Sequence, residues 1–154
     1  MFLFIRAQDI QTAVKNESSL TGKTVRQIVL DKLRGETIEK SFSPELKKNL
    51  LKLDEIKSLK KNWNGNKAKA ITGKLIKKTR ALIINLEKQP QIFPTANDSI
   101  QLEYDGENNT YLELQITSKN IISYYKVDKY GKETSDTIPF SSFYLNALVK
   151  EFYE

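Results

Sequence analysis

The hydrophobic period changes once along this chain, and that change restricts the fold more than any other feature. From residue 44 to 88 apolar residues recur every third or fourth position within the helical stretches, and in 100–104 and 112–116 they recur at every second one. The first pattern is that of helices resting one face on a core. The second is that of strands with one buried and one wet face. Blocks of helix and strand that follow one another, rather than alternating, predict an α+β domain with an antiparallel sheet.

Local signals place the elements. Ser43-Pro44-Glu45 opens a helix, with a capping hydroxyl, a proline tolerated in the first turn and an acid near the positive end of the dipole. Leu46, Leu50, Leu53, Ile56 and Leu59 form its apolar stripe. After a loop at Asn62-Trp63-Asn64-Gly65-Asn66, a second helix is expected from about Ala68 to Lys88, with Leu75, Ile76, Leu82, Ile83 and Leu86 inward. The two should pair as an antiparallel, basic hairpin. Pro90 to Ala96 breaks the helix. Ile100-Gln-Leu-Glu-Tyr104, Leu112-Glu-Leu-Gln-Ile116 and Ile121 to Val127 then read as a meander. A fourth strand is expected to end near Ile138, and a last helix to start near Ser141. The architecture expected for 41–154 is a basic helical hairpin on a three- to four-stranded antiparallel sheet, closed by a C-terminal helix. Ahead of it, Phe2–Arg6 reads as a strand, and two short helices follow. Thr24-Val-Arg-Gln27 is a capping box that opens the second of them, and Gly35 ends it. The polar connector after Gly35 divides a 1–40 segment from the 41–154 domain.

What is missing removes most familiar chemistries. The 154 residues contain no cysteine and no histidine. Disulfides, thiolate zinc sites, cysteine nucleophiles and the Ser-His-Asp arrangement are therefore excluded. Thr21-Gly-Lys-Thr24 invites a phosphate-loop reading, but Glu17 stands where that loop needs its first glycine. No cofactor and no metal are expected. No apolar run approaches the ~18 residues of a membrane span. The apolar start, Met1-Phe-Leu-Phe-Ile-Arg6, is too short for a signal peptide and lacks its basic leader. A cytoplasmic protein without membrane contact is expected.

Charge is strongly segregated. The net charge is +6, yet residues 47–80 hold 12 basic residues against two acids, while 81–154 hold six against 11. A basic block of this kind attracts phosphate backbones or simply forms a solvated helix face. The candidates for nucleic-acid contact are Lys57, Lys60, Lys61, Lys67, Lys74, Lys77 and Lys78, with Arg6, Lys23 and Arg26 from the N-terminal segment. The scarcity of arginine points away from forked base recognition.

Two resemblances add expectations. Residues 2–34, a strand, a helix, the Thr21-Gly-Lys-Thr24 turn and Val25-Arg-Gln-Ile-Val-Leu-Asp-Lys-Leu33, resemble the ribbon-helix-helix DNA-binding antitoxins. That resemblance implies a dimer whose paired strands read the major groove. The departures are a strand apolar on both faces, leaving Arg6 alone to reach a base, and Glu17 where an apolar residue is usual. Asn62-Trp63-Asn64-Gly65, Phe93-Pro-Thr95, Ile100-Gln-Leu-Glu-Tyr104 and Leu112-Glu-Leu-Gln-Ile116 resemble a group of small bacterial proteins of unknown function. Their pattern has Asp where Asn64 stands and Trp where Tyr104 stands. This second resemblance implies a bacterial α+β unit and no activity.

Candidate partner-binding residues are Trp63, Glu103, Tyr104, Glu113, Tyr124 and Tyr125. Tyrosine suits interfaces because one end is apolar and the other wet. Trp63 can stack on a base or anchor a partner; equally, it can plug the joint between hairpin and sheet. Glu103 and Glu113 share the wet sheet face, where paired carboxylates can work on protons or metals, but spacing fixes no third acid. The reading favoured is a non-enzymatic protein of the antitoxin or immunity type that binds a protein partner, toxin-like or a second copy of itself as a homodimer. The alternatives are a nucleic-acid-binding regulator using residues 47–80 or the N-terminus, and an enzyme working with carboxylates and lysine alone.

Overall fold

The computed structural model describes residues 42–154; the elements expected for 1–40, with Arg6, Lys23 and Arg26, lie outside them. Helix α1 (Pro44–Ser58) begins where Ser43-Pro44-Glu45 places it. The Ser43 hydroxyl accepts from the Leu46 amide at 3.1 Å, satisfying one of the donors that a helix start leaves open. Leu46, Leu53 and Ile56 of its stripe are buried, while Leu50 and Leu59 lie at the margin.

Helix α2 (Gly73–Ile83) is shorter than the periodicity suggests. Its start is set by Thr72, whose hydroxyl accepts from the Leu75 amide. The preceding residues are pulled out of helix by other bonds. The Lys69 amide donates to the Ala96 carbonyl at 2.8 Å, and the Thr72 amide donates to Asp98 Oδ1 at 2.9 Å. At the far end the chain tightens into i→i−3 turns at Asn85 and Leu86, and Gln89 Nε2 caps the Ile83 carbonyl at 2.8 Å. Leu75, Ile76, Leu82, Ile83 and Leu86 are buried, as their spacing predicts. Helix α1 packs on α2, and the Arg80–Asp54 ion pair, 2.6 Å, ties the two.

The sheet has five strands rather than three or four: β1 (Gln91–Pro94), β2 (Ile100–Asp105), β3 (Tyr111–Ile116), β4 (Ile121–Val127) and β5 (Glu133–Pro139). It is an antiparallel meander in the order β1-β2-β3-β4-β5. The strand that periodicity misses is β1. It is four residues long, ends on a proline and sits at the sheet edge, where a missing amide costs no ladder bond. Helix α3 (Ser142–Tyr153) follows, capped by Ser141.

One core joins these elements. Ile92, Ile100, Leu102, Tyr104, Leu112, Leu114, Ile116 and Ile122 line the inner sheet face, at most 3% exposed. Leu53, Ile56, Leu75, Ile83 and Leu145 from the helices share that interior, each worth about 1.5–3 kcal/mol of burial. Helix α3 lies on the same side. Its Glu151 pairs with inner-face Lys126 at 2.7 Å, and its Tyr153 ring meets Tyr104 edge-on. Asn146 of α3 clasps the end of α2, donating to the Asn85 carbonyl and accepting from the Glu87 amide. Among the described residues no helix is long and apolar enough to cross a membrane.

Candidate functional site

Strand register builds two surfaces of opposite character. On the outer face, the cross-strand partners Gln91, Glu103, Glu113, Tyr125 and Ser135 form a row across all five strands. A second row runs Phe93, Gln101, Gln115, Ser123, Thr137, and a third Asp105, Tyr111, Val127, Glu133. Most of these side chains are exposed or half-buried, and Phe93 and Ile121 are 40% and 43% exposed. The face thus presents four acids, three aromatic rings and no lysine or arginine.

Glu103 and Glu113 are direct cross-strand partners. Like charges so placed repel each other, and hydrogen bonds moderate this. Gln101 Nε2 donates to Glu103 Oε1 at 2.5 Å, and the Tyr111 hydroxyl donates to Glu113 Oε2 at 3.2 Å. Partial burial, then the two carboxylates, raise the Tyr111 pKa above that of an ordinary phenol. Tyr125 is shifted the same way, by its surroundings first and then by Glu133 and Glu113. Both phenols therefore remain protonated donors at neutral pH. The row is rich in acceptors and in flat apolar area, which suits contact with a cationic group. Among the described residues no three acids converge to hold a metal ion.

The tyrosines divide by face. Tyr104 does not belong to the outer surface: it is 2% exposed, and its hydroxyl donates to the Lys88 carbonyl at 3.0 Å. Burial, then Tyr153, raises its pKa. Tyr124 is half-buried on the inner side, opposite Leu114. Only Tyr125 of the three points outward, joined by Tyr111 and Phe93. Phe93 becomes evident as part of this face only when register sets it opposite Gln101.

The second surface is basic. Lys57, Lys60, Lys61, Lys67, Lys74 and Lys77 are all exposed. Lys78 is not part of it. Its ammonium turns inward, donating to the Thr117 carbonyl at 3.1 Å and to that of Lys119, 4.1 Å from the centre of the Phe140 ring. It staples α2 to the β3–β4 turn. Desolvation, then the Lys74 ammonium, lowers its pKa. The Trp63 indole N–H donates to the Lys69 carbonyl at 3.0 Å, within its own loop, and the ring is half-buried.

A cleft of about 720 Å³ lies between the β2–β3 and β4–β5 turns and the end of α3. Its charges are largely spent on one another or on nearby groups: Lys126 on Glu151, Lys88 on the Tyr153 ring, and Asp128 on the Tyr130 and Lys132 amides. Comparison with known protein families, curated proteins and solved structures finds no match.

Proposed function

We propose that this protein is a non-enzymatic, cytoplasmic binding protein of the antitoxin or immunity type, which grips a basic protein partner through the outer face of its sheet. The observation that carries this reading is charge segregation. In a chain of net charge +6, the outer-face positions of all five strands hold Glu103, Asp105, Glu113 and Glu133 and not one basic residue. Tyr111, Tyr125 and Phe93 lie among these acids, giving an interface the rigid aromatic anchors that dominate binding energy. Arginines or lysines of a partner would meet carboxylates already held in place by Gln101 and Tyr111. A bare solvated sheet face has no reason to exclude lysine, the commonest charged residue of this chain.

The test introduces the missing charge at exposed positions. Ser123→Arg with Ser135→Arg places two cations on the face without touching the core. The expected result is that a partner captured from the native host by the wild-type protein is lost to this double variant and retained by a Lys60→Glu variant. Hydrogen exchange on the wild-type complex should then protect β2, β3 and β4. Capture that survives the double variant, or protection confined to the helices, refutes the reading. Self-association lost on the same variant would identify a second copy of this chain as the partner.

A further inference from the structure

The loop between α1 and α2 has properties that the sheet face does not use. Of the three acids in α1 and α2, Glu45 stands in the first turn of α1, at the end away from the loop, and the other two are engaged: Asp54 by Arg80 at 2.6 Å and Glu55 by Lys52 at 3.1 Å. Lys57, Lys60, Lys61, Lys67 and Lys69 at the loop are all exposed, and none has a carboxylate partner among the described residues. The only local arginine, Arg80, is occupied.

The backbone carrying these lysines is fixed. The Asn62 amide donates to the Ala68 carbonyl at 2.7 Å, closing the loop, and Asn62 Oδ1 accepts from the Lys67 amide at 2.7 Å. Asn64 Oδ1 accepts from the Asn66 amide at 2.8 Å. These bonds hold Asn62 and Lys67 left-handed, at φ 67° and 62°, a conformation that side-chain-bearing residues adopt only where the surroundings impose it. Inside this frame stands the only tryptophan of the chain, pinned by its N–H to the Lys69 carbonyl and half-buried.

We propose that this loop is a contact surface for single-stranded nucleic acid, with lysines on the phosphates and the Trp63 ring as a stacking platform. Lysine binds phosphate as a point charge and so tolerates the irregular phosphate spacing of a flexible strand, whereas oriented, forked recognition of a carboxylate, phosphate or base would call for arginine. Aromatic rings set among cations are how single strands are held without sequence preference. A rigid loop also has little ordering entropy left to lose on binding. This surface is built from other residues than the sheet face, and either reading stands without the other.

Because Trp63 is the only tryptophan, its emission reports directly on the site. The full chain is titrated into a labelled oligo-dT of about 16 nucleotides, following anisotropy of the label and emission of Trp63. Both should saturate together. The slope of log affinity against log salt should be no steeper than about −3.5, from about 0.7 per phosphate for five lysines. Lys60→Glu with Lys61→Glu should weaken binding about tenfold or more and flatten the slope by about 1.4, with an unchanged melting curve. Absence of binding at low salt overturns the proposal. So does binding that leaves Trp63 emission unaltered and ignores the double variant, because the strand would then lie elsewhere. Duplex DNA bound as tightly as oligo-dT overturns the single-strand assignment.

Discussion

Lys78 offers the sharpest test of how charge is used here, because composition groups it with the nucleic-acid candidates while the structure makes it a staple. Lys78→Met keeps the aliphatic stem and removes the ammonium. Two carbonyl acceptors, Thr117 and Lys119, lose a charged donor. A hydrogen bond to a charged group is worth about 1.5–3 kcal/mol when well buried, but this side chain is only half-buried and water can serve the carbonyls once it is gone. The lost cation–π contact with Phe140 adds about 0.5–1 kcal/mol. Against these stands the relief of desolvating the ammonium beside Lys74. The expected net loss is about 1–2 kcal/mol, or about 5–10 °C in melting temperature for a domain of this size. Urea unfolding followed by circular dichroism measures it, with an unchanged m-value. Oligo-dT affinity should stay within about twofold, because the lost charge does not face the loop surface. A variant as stable as wild type would refute the staple. A drop in affinity beyond that range would return Lys78 to the binding surface.

Three further outcomes follow from single side chains. Tyr104→Phe removes the partly buried hydrogen bond from the Tyr104 hydroxyl to the Lys88 carbonyl and should cost about 1 kcal/mol in urea unfolding. Thr79→Val should raise stability by about 1 kcal/mol, because the Thr79 hydroxyl is buried with no hydrogen-bond partner among the described residues. Asp128 accepts from the Tyr130 and Lys132 amides, and those bonds lower its pKa below the ordinary 3.8. A depressed folded pKa means the carboxylate's contribution is complete above the ordinary value and is lost as pH falls through the folded one. The melting temperature of Asp128→Asn should therefore lie below wild type at neutral pH and converge with it in acid.

The sequence by itself determined the class of fold, the two meander strands with the cleanest alternation and the inner faces of α1 and α2. Each of these follows from short-range rules. A strand's period of two sends Ile100, Leu102 and Tyr104 to one side whatever the partner strand, and Ser43 and Ser141 cap helices through bonds only two or three residues long. The absence of histidine and cysteine was equally plain. Tertiary structure alone decided everything that depends on residues far apart in the chain. Strand β1 exists because β2 offers it a ladder, and four residues ending in proline carry no pattern of their own. Helix α2 begins at Gly73 rather than near Ala68 because the β1–β2 turn, through Ala96 and Asp98, captures the residues before it. Register assembled Glu103, Glu113 and Tyr125 into one row, and it put Tyr104 and Tyr124 on the opposite side. The lysines carry no positional code, since a flexible stem reaches water or a carbonyl with equal ease. Only the approach of the β3–β4 turn to α2 separated Lys78 from its exposed neighbours.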